Sequence, residues 1–284
     1  MTWSQIAAQP WMLWRRQVAA ILRLELKKSL FSKRAWWIYI LTLGPVAITG
    51  LHSLVSSRSS NIHHTMGEDN MIFAGIFQVY FLRLGIFFGC LGIFSNLFRA
   101  EMLEHTLHYY FMSPVRREVL AVSKYLAGLI AAIVYFVGSV VLSFLFMSAH
   151  WGPVFQQYLF HGPGLHQLGW YALTAALACV GYGSVFLLTG VLYRNPMIPA
   201  AVVFVWENLN PFLPSLLKKF SVIFYLKSLC PVGEIPTDGP LAFLATMTEP
   251  PPAWLAIPGL LVVSALILVY AAAKARKLEV SYSD

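Results

Sequence analysis

The stretch VLAVSKYLAGLIAAIVYFVGSVVLSFLFM, residues 119–147, indicates what kind of protein this is. A helix needs about 20 mostly apolar residues to cross the hydrocarbon core of a bilayer, and this run exceeds that length. Its one charged residue, Lys124, lies near its start. Comparable apolar runs occur along the whole chain. We therefore predict six membrane-spanning helices, at about residues 35–55, 71–98, 119–147, 169–192, 197–217 and 253–273.

The composition of the whole chain favours the same class of protein. Of its 284 residues, 58% are hydrophobic and 11% are charged, whereas soluble domains carry about 25% charged residues. The net charge of +8 is explained first by membrane topology when the chain is this hydrophobic. The three cysteines are too few and too scattered for a disulfide framework. We expect an all-α polytopic membrane protein that binds no nucleic acid.

The distribution of lysine and arginine predicts the orientation of the chain, because basic residues near span ends are retained in the cytoplasm. If the N-terminus is inside, the cytoplasmic segments hold fifteen of these residues and the outer segments hold four. Both termini are then cytoplasmic, in a multi-pass protein of the cell (inner) membrane. The outer loops, at about 56–70, 148–168 and 218–252, are too short for a folded domain with its own core.

The segment before the first span, residues 11–32, has the pattern of an amphipathic helix. It reads WMLWRRQVAAILRLELKKSLFS. At 100° per residue, Arg16, Arg23 and Lys27 fall on one side and the apolar residues fall opposite. This pattern is typical of a helix that lies in the plane of the membrane interface, and we expect it on the inner leaflet.

Within this segment, Glu25 falls in the apolar sector, where lipid binding requires no carboxylate. It either reaches toward water or pairs with Lys28 about one turn away, or it contacts a partner protein. We divide the chain into an N-terminal interfacial segment, 1–34, and a six-span transmembrane domain, 35–284.

A cytoplasmic loop, residues 99–118, separates the second and third spans. The sequence around it is FRAEMLEHTLHYYFMSPVRREVLAVSKYLAGL, residues 98–129. Helical propensity continues to Met112, breaks at Ser113-Pro114, and resumes with a basic pair before the next span. This pattern predicts a helix-turn-helix elbow. Although Glu and His residues share the first helix, there is no HExxH motif, and we predict no metal site there.

Two stretches carry a resemblance to a known family. RLELKKSLFSKR, residues 23–34, and EMLEHTLHYYFMSPVRREVLAVSKYLAG, residues 101–128, resemble the membrane-spanning permease subunits of ABC transporters, in the type-2 export class. The chain departs from the family pattern at His105, where glycine or a basic residue is frequent. The resemblance implies that the loop is a coupling helix held in a groove of a cytoplasmic ATPase. By position, the residues implied at that contact are Glu101, Glu104, Thr106, Pro114, Arg116 and Arg117, with Arg23 and Glu25 beside them.

The same resemblance implies an ATP-driven exporter that forms its translocation pathway as a dimer, with a second permease copy or homologue and membrane lipid as further partners. The chain contains no GxxxxGK[ST] phosphate-binding loop. We therefore expect no enzyme activity in this chain, and we expect ATP and Mg to bind a separate ATPase subunit. The alternative is a non-transporting structural or assembly subunit of a larger membrane complex.

Two charged residues, Arg83 and Glu207, are predicted deep within spans. A charge near the bilayer centre costs about 2.5–3.5 kcal/mol on insertion scales, so each is expected to face protein or water. Their estimated depths differ by roughly 5 Å, which permits a pair that locks helix packing or a contact with substrate. Prolines follow Glu207, so we expect the fifth span to break and short re-entrant or outer-surface helices to follow, at 215–229.

Most histidines fall in the predicted outer loops or, like His52, at the adjoining end of a span. Histidines are common in exposed loops without a metal-binding role, and Glu68 and Asp69 are the acidic residues noted near them. We therefore predict no metal site. These histidines are His52, His63, His64, His150, His161 and His166.

Overall fold

A computed structural model describes residues 11–31, 36–58, 65–103, 117–193, 195–232 and 251–276. No strand occurs within these ranges, and the prediction of an all-α protein is confirmed. The helices are α1 Trp11–Phe31, α2 Trp36–Arg58, α3 Met66–Gly75, α4 Ile86–Leu103, α5 Arg117–Met147, α6 Pro153–His161, α7 Gly164–Leu192, α8 Met197–Asn208, α9 Ser215–Lys218, α10 Val222–Lys227 and α11 Ala253–Arg276.

Within the described ranges, five helical stretches are long and apolar enough to cross a membrane. They are Trp36–Arg58, Met66–Leu97, Val119–Trp151, Gly164–Leu192 and Ala253–Arg276. Helix α7, in the fourth of these, is the most buried, and it packs against α4, α5 and α11. The core of the bundle therefore lies around α7, whereas α2 and α11 turn large apolar side chains outward.

The fifth predicted span, 197–217, is not one continuous helix. Helix α8 has 12 residues and is about 18 Å long, well short of the roughly 30 Å hydrocarbon core. A 3-10 turn follows at Asn210–Phe212, and Pro211 and Pro214 remove backbone donors that a longer helix would need. The count of six spans is therefore not confirmed, although the predicted break after Glu207 is observed. Short helices α9 and α10 follow it.

The second span is a helix whose central part is a π-helix. It begins with a capping box, in which the Thr65 side chain accepts from the Glu68 amide and Glu68 accepts from the Thr65 amide. Between α3 and α4, residues Ile76–Gly85 form a π-helix. Such segments are rare and frequently lie at functional sites. Arg83 lies within it.

Helix α1 is present in the segment predicted to be helical, and one face of it is buried against the rest of the protein. It packs along α5 and buries Ile21 and Glu25. Its position in the plane of the membrane, and the cytoplasmic location of the termini, remain predictions.

Small residues allow the helices to approach closely within the bundle. A methyl group placed on Gly89 of α4 would lie 1.9 Å from Cζ of the buried Phe136 on α5. One placed on Gly190 of α7 would lie 2.9 Å from the Cα of Ser95. These glycines therefore contribute to packing between α4, α5 and α7.

Candidate functional site

The loop that resembles a coupling helix is described only at its two ends. Glu104, Thr106, Pro114 and Arg116 lie outside the described residues. Glu101 belongs to the helical backbone of α4, which reaches Leu103 and so agrees with the predicted helix at the start of the loop. The described chain resumes at Arg117, the first residue of α5.

A buried ion pair lies between α1 and α5, on the helices that lead to the described ends of this loop. Lys124 Nζ donates to Glu25 Oε1 at 2.7 Å, and the Lys124 side chain is fully buried. The same ammonium donates to the carbonyl oxygen of Leu97 at 2.8 Å. The pair therefore joins α1 to α5 and, through Leu97, to α4. All three helices adjoin the loop or approach it from the same end of the bundle.

This finding bears on the interpretations of Glu25. Its carboxylate contacts Lys124, a lysine of another helix inside this chain, which the sequence did not predict. The contact of this region with an ATPase remains a prediction. The place of Glu25 in the apolar sector of α1 follows from the contact with Lys124, because this face of α1 is the one that packs on α5. Arg23, in contrast, is exposed.

Arg117 forms a second connection at the same end of the bundle. Its Nη1 donates to the carbonyl oxygen of Arg276 at 2.8 Å, which joins the first residue of α5 to the last residue of α11. The helix that emerges from the loop is thus tied at its start to the C-terminal helix. Two turns further on it is tied to α1.

Glu207, at the end of α8, occupies a polar cradle made by the chain that returns after it. Its carboxylate accepts from the Val222 amide at 3.0 Å, the Ile223 amide at 2.9 Å and the Ser221 hydroxyl at 2.8 Å. The Tyr182 hydroxyl also donates to it, at 3.4 Å. A carboxylate at a helix N-terminus satisfies amides that have no partner inside the helix. Glu207 therefore caps α10.

The predicted pair of Arg83 and Glu207 is wrong as a direct contact, since no hydrogen bond or ion pair joins these two described residues. The physical reason is the reversal of the chain after Pro214, which brings the N-terminus of α10 to the carboxylate and satisfies it without a cation.

Sequence reasoning missed two residues of these sites. The sequence identified Lys124 only as the one charged residue of the apolar run 119–147, although a lysine inside such a run requires a partner. Ser221 is a favoured N-cap residue, and it precedes α10. The sequence could therefore indicate Ser221 as an N-cap, but it could not indicate that Glu207 accepts the hydrogen bond of its hydroxyl.

Comparison with protein-family models gives a match over residues 21–210, to the model described as ABC-2 family transporter protein. The matched range covers about two thirds of the chain and includes Glu25, Lys124 and Glu207. No curated protein matches the chain.

Proposed function

We propose that this chain, which belongs to the ABC-2 family of transporter proteins, is the permease of an ATP-driven exporter. Loop 99–118 is proposed to couple it to separate ATPase subunits. Family membership and the apolar helices make it a multi-pass membrane protein and a permease component of an ABC transporter. The family implies ABC ATPase subunits as partners in general. Export, location in the cell (inner) membrane and action as a dimer are parts of the proposal.

The observation that best supports the coupling role is the buried pair of Glu25 and Lys124. Loop 99–118 ends where α5 begins, and Lys124 lies about two turns into that helix. A displacement of the loop would move α5. Because breaking a buried pair leaves an uncompensated charge, α1 would move with α5 rather than separate from it. The junction is thus suited to pass a movement from the loop into the membrane.

ATP hydrolysis is assigned to the partner. The chain has no phosphate-binding loop of the GxxxxGK[ST] type, so we propose that ATP and Mg bind the ATPase subunits. The residues proposed to meet that subunit are those that the resemblance implied, with one change. Glu25 acts inside the chain, through Lys124, and Arg23 is the exposed member of the pair on α1.

The outward apolar surfaces support lipid and a second permease as partners. On α2, Ile48 and Leu51 are exposed by more than half, and on α11 Leu266 and Val269 are exposed to a similar extent. Surfaces of this kind are stable only against acyl chains or another protein. We propose that lipid covers part of them and that a second copy or homologue covers the rest.

The test begins with purification of the tagged full-length chain from its native membranes in mild detergent. We expect an ATPase that carries a GxxxxGK[ST] sequence to copurify, and we expect the complex to hydrolyse ATP. Recovery of the chain without any such ATPase, in a stable assembly with other membrane proteins, would favour the alternative of a structural or assembly subunit.

The coupling loop is tested in the same complex by Arg116→Glu with Arg117→Glu. Reversal of two charges at the contact is expected to weaken ATPase binding by at least about tenfold, which corresponds to about 1.4 kcal/mol. The matched control is Arg58→Glu, an exposed arginine at the far end of α2. Unchanged ATPase recovery and hydrolysis in the double variant would contradict the role of the loop.

A further inference from the structure

Three chain segments meet at the end of the bundle opposite the junction of α1 and α5. They are the last turns of α2, the first turn of α3, and the 3-10 turn Ala149–Trp151 that follows α5. Each contributes one ionisable side chain to a cluster, His52, Asp69 and His150 respectively. The three residues are far apart in sequence, and only the fold brings them together.

The distances in this cluster are short enough for all three side chains to bind one metal ion. His52 Nε2 lies 3.4 Å from Asp69 Oδ1, and His150 Nε2 lies 3.3 Å from Asp69 Oδ2. One ligand atom from each residue lies within 4.8 Å of the others. With bonds of about 2.0–2.1 Å to the ion, neighbouring ligands of tetrahedral zinc lie about 3.3 Å apart.

The carboxylate is held in place and is incompletely satisfied. The Asp69 side chain is fully buried, and Trp151 Nε1 donates to its Oδ2 at 2.8 Å. No hydrogen bond reaches Asp69 Oδ1 from the described residues. A buried carboxylate is costly unless it is paired, hydrogen-bonded or bound to a metal. The Trp151 contact is of the kind that orients a metal-binding carboxylate from outside the ligand set.

We propose that His52, Asp69 and His150 bind one divalent transition-metal ion, with Zn²⁺ as the best match. Two imidazole nitrogens and one carboxylate suit zinc and its neighbours, whereas Mg²⁺ and Ca²⁺ prefer oxygen ligands alone. Three protein ligands leave a fourth position for water or another donor. The ion joins the ends of three spans and stabilises this end of the bundle. The proposal revises the prediction that the histidines on this side bind no metal.

The test uses the full-length chain in detergent, stripped of metal with a chelator and titrated calorimetrically with Zn²⁺ alone. We expect one Zn²⁺ ion to bind per chain. Zn²⁺ should raise the thermal unfolding temperature, because a ligand that binds only the folded state stabilises it. Mg²⁺ at the same concentration should have no such effect. His150→Ala is expected to weaken Zn²⁺ binding by at least about tenfold, as loss of even a supporting residue does.

Two variants control for other histidines. His161→Ala changes an exposed histidine of α6, outside the cluster, and His63→Ala with His64→Ala changes the pair in the adjoining loop sequence. Both are expected to bind Zn²⁺ as the unchanged chain does. If Asp69→Asn fails to fold, His52→Ala serves in its place, because the His52 side chain is 27% exposed and its truncation costs little packing.

Equal Zn²⁺ affinity in the unchanged chain and in His150→Ala or His52→Ala would overturn the proposal. Loss of binding only on replacement of His63 and His64 would also overturn it. Absence of Zn²⁺ binding in the unchanged chain would leave a cluster held by hydrogen bonds alone and would equally reject the metal site. None of these measurements involves the ATPase, so their outcome is independent of the proposed transport function.

Discussion

The Lys124 ammonium lies 2.7 Å from the carboxylate of Glu25, ninety-nine residues earlier in the chain, and both side chains are buried. Removing two charges from water is costly, and attraction repays the cost only where geometry is good and further hydrogen bonds exist. The Leu97 carbonyl supplies one such bond. The pair therefore fixes which face of α1 meets α5.

Replacement of one partner should destabilise the protein strongly. Lys124→Met leaves the Glu25 carboxylate buried without its cation, and a broken buried pair costs about 3–5 kcal/mol. We expect a large fall in the thermal unfolding temperature in detergent. Lys27→Met, an exposed lysine of α1, serves as the control and should have little effect.

The double variant Glu25→Gln with Lys124→Met should recover part of that loss, because no uncompensated charge remains. The coupling is measured as the departure of the double variant from the sum of the single variants. Purely additive effects would mean that the two residues do not stabilise each other.

A second prediction concerns the cap that Glu207 provides to α10. The effects of Ser221→Ala and Glu207→Gln on stability should be coupled, since both residues belong to the same hydrogen-bonded group. Glu207→Ala should lower the free energy of unfolding by about 1–3 kcal/mol, because it leaves the amides of Val222 and Ile223 without acceptors. Double-mutant cycles followed by thermal unfolding measure the coupling.

The same cycle performed with Arg83 separates the cap from an ion pair. Arg83→Ala and Glu207→Gln should be close to additive, since no direct contact joins them. A strong coupling between Arg83 and Glu207, together with none between Ser221 and Glu207, would show that the cation rather than the helix terminus satisfies the carboxylate.

A third prediction concerns the close approach of α4 and α5. Gly89→Ala places a methyl group 1.9 Å from the ring of buried Phe136, and overpacking of this kind costs about 1–3 kcal/mol. Gly138→Ala on α5 is the matched control, because nothing lies within 4 Å of its new methyl group and alanine favours the helix. Equal thermal stability of the two variants would contradict this account of the packing.

A fourth prediction concerns the face of α1 that is hidden. In a Cys230→Ser background, where the remaining Cys90 and Cys179 are buried, Leu24→Cys should react with a small thiol reagent and Ile21→Cys should be protected. Leu24 is 47% exposed and Ile21 is 9% exposed. Similar reaction rates at both positions in the folded protein would mean that α1 does not pack on α5.

The apolar runs of the sequence were sufficient to predict the class of protein and the approximate position of most spans. A run such as 119–147 has few alternatives to a membrane-spanning helix, because hydrocarbon offers no partner for backbone groups and the helix satisfies them all within itself. The break after Glu207 was predictable for the same reason, since Pro211 and Pro214 prevent that satisfaction. These are local properties of the chain, and they can be predicted from its composition and from the spacing of its residues.

Only the tertiary structure decided which polar residues meet. Glu25 was expected to pair one turn away or outside the chain, yet its partner is Lys124. Glu207 was expected to pair with Arg83 or to contact substrate, yet it accepts hydrogen bonds from backbone amides of α10. His52 and His150 gave no reason to expect a common site with Asp69. A sequence states that a buried charge requires a partner, but many residues can meet that requirement, and the packing of helices far apart along the chain determines which one does.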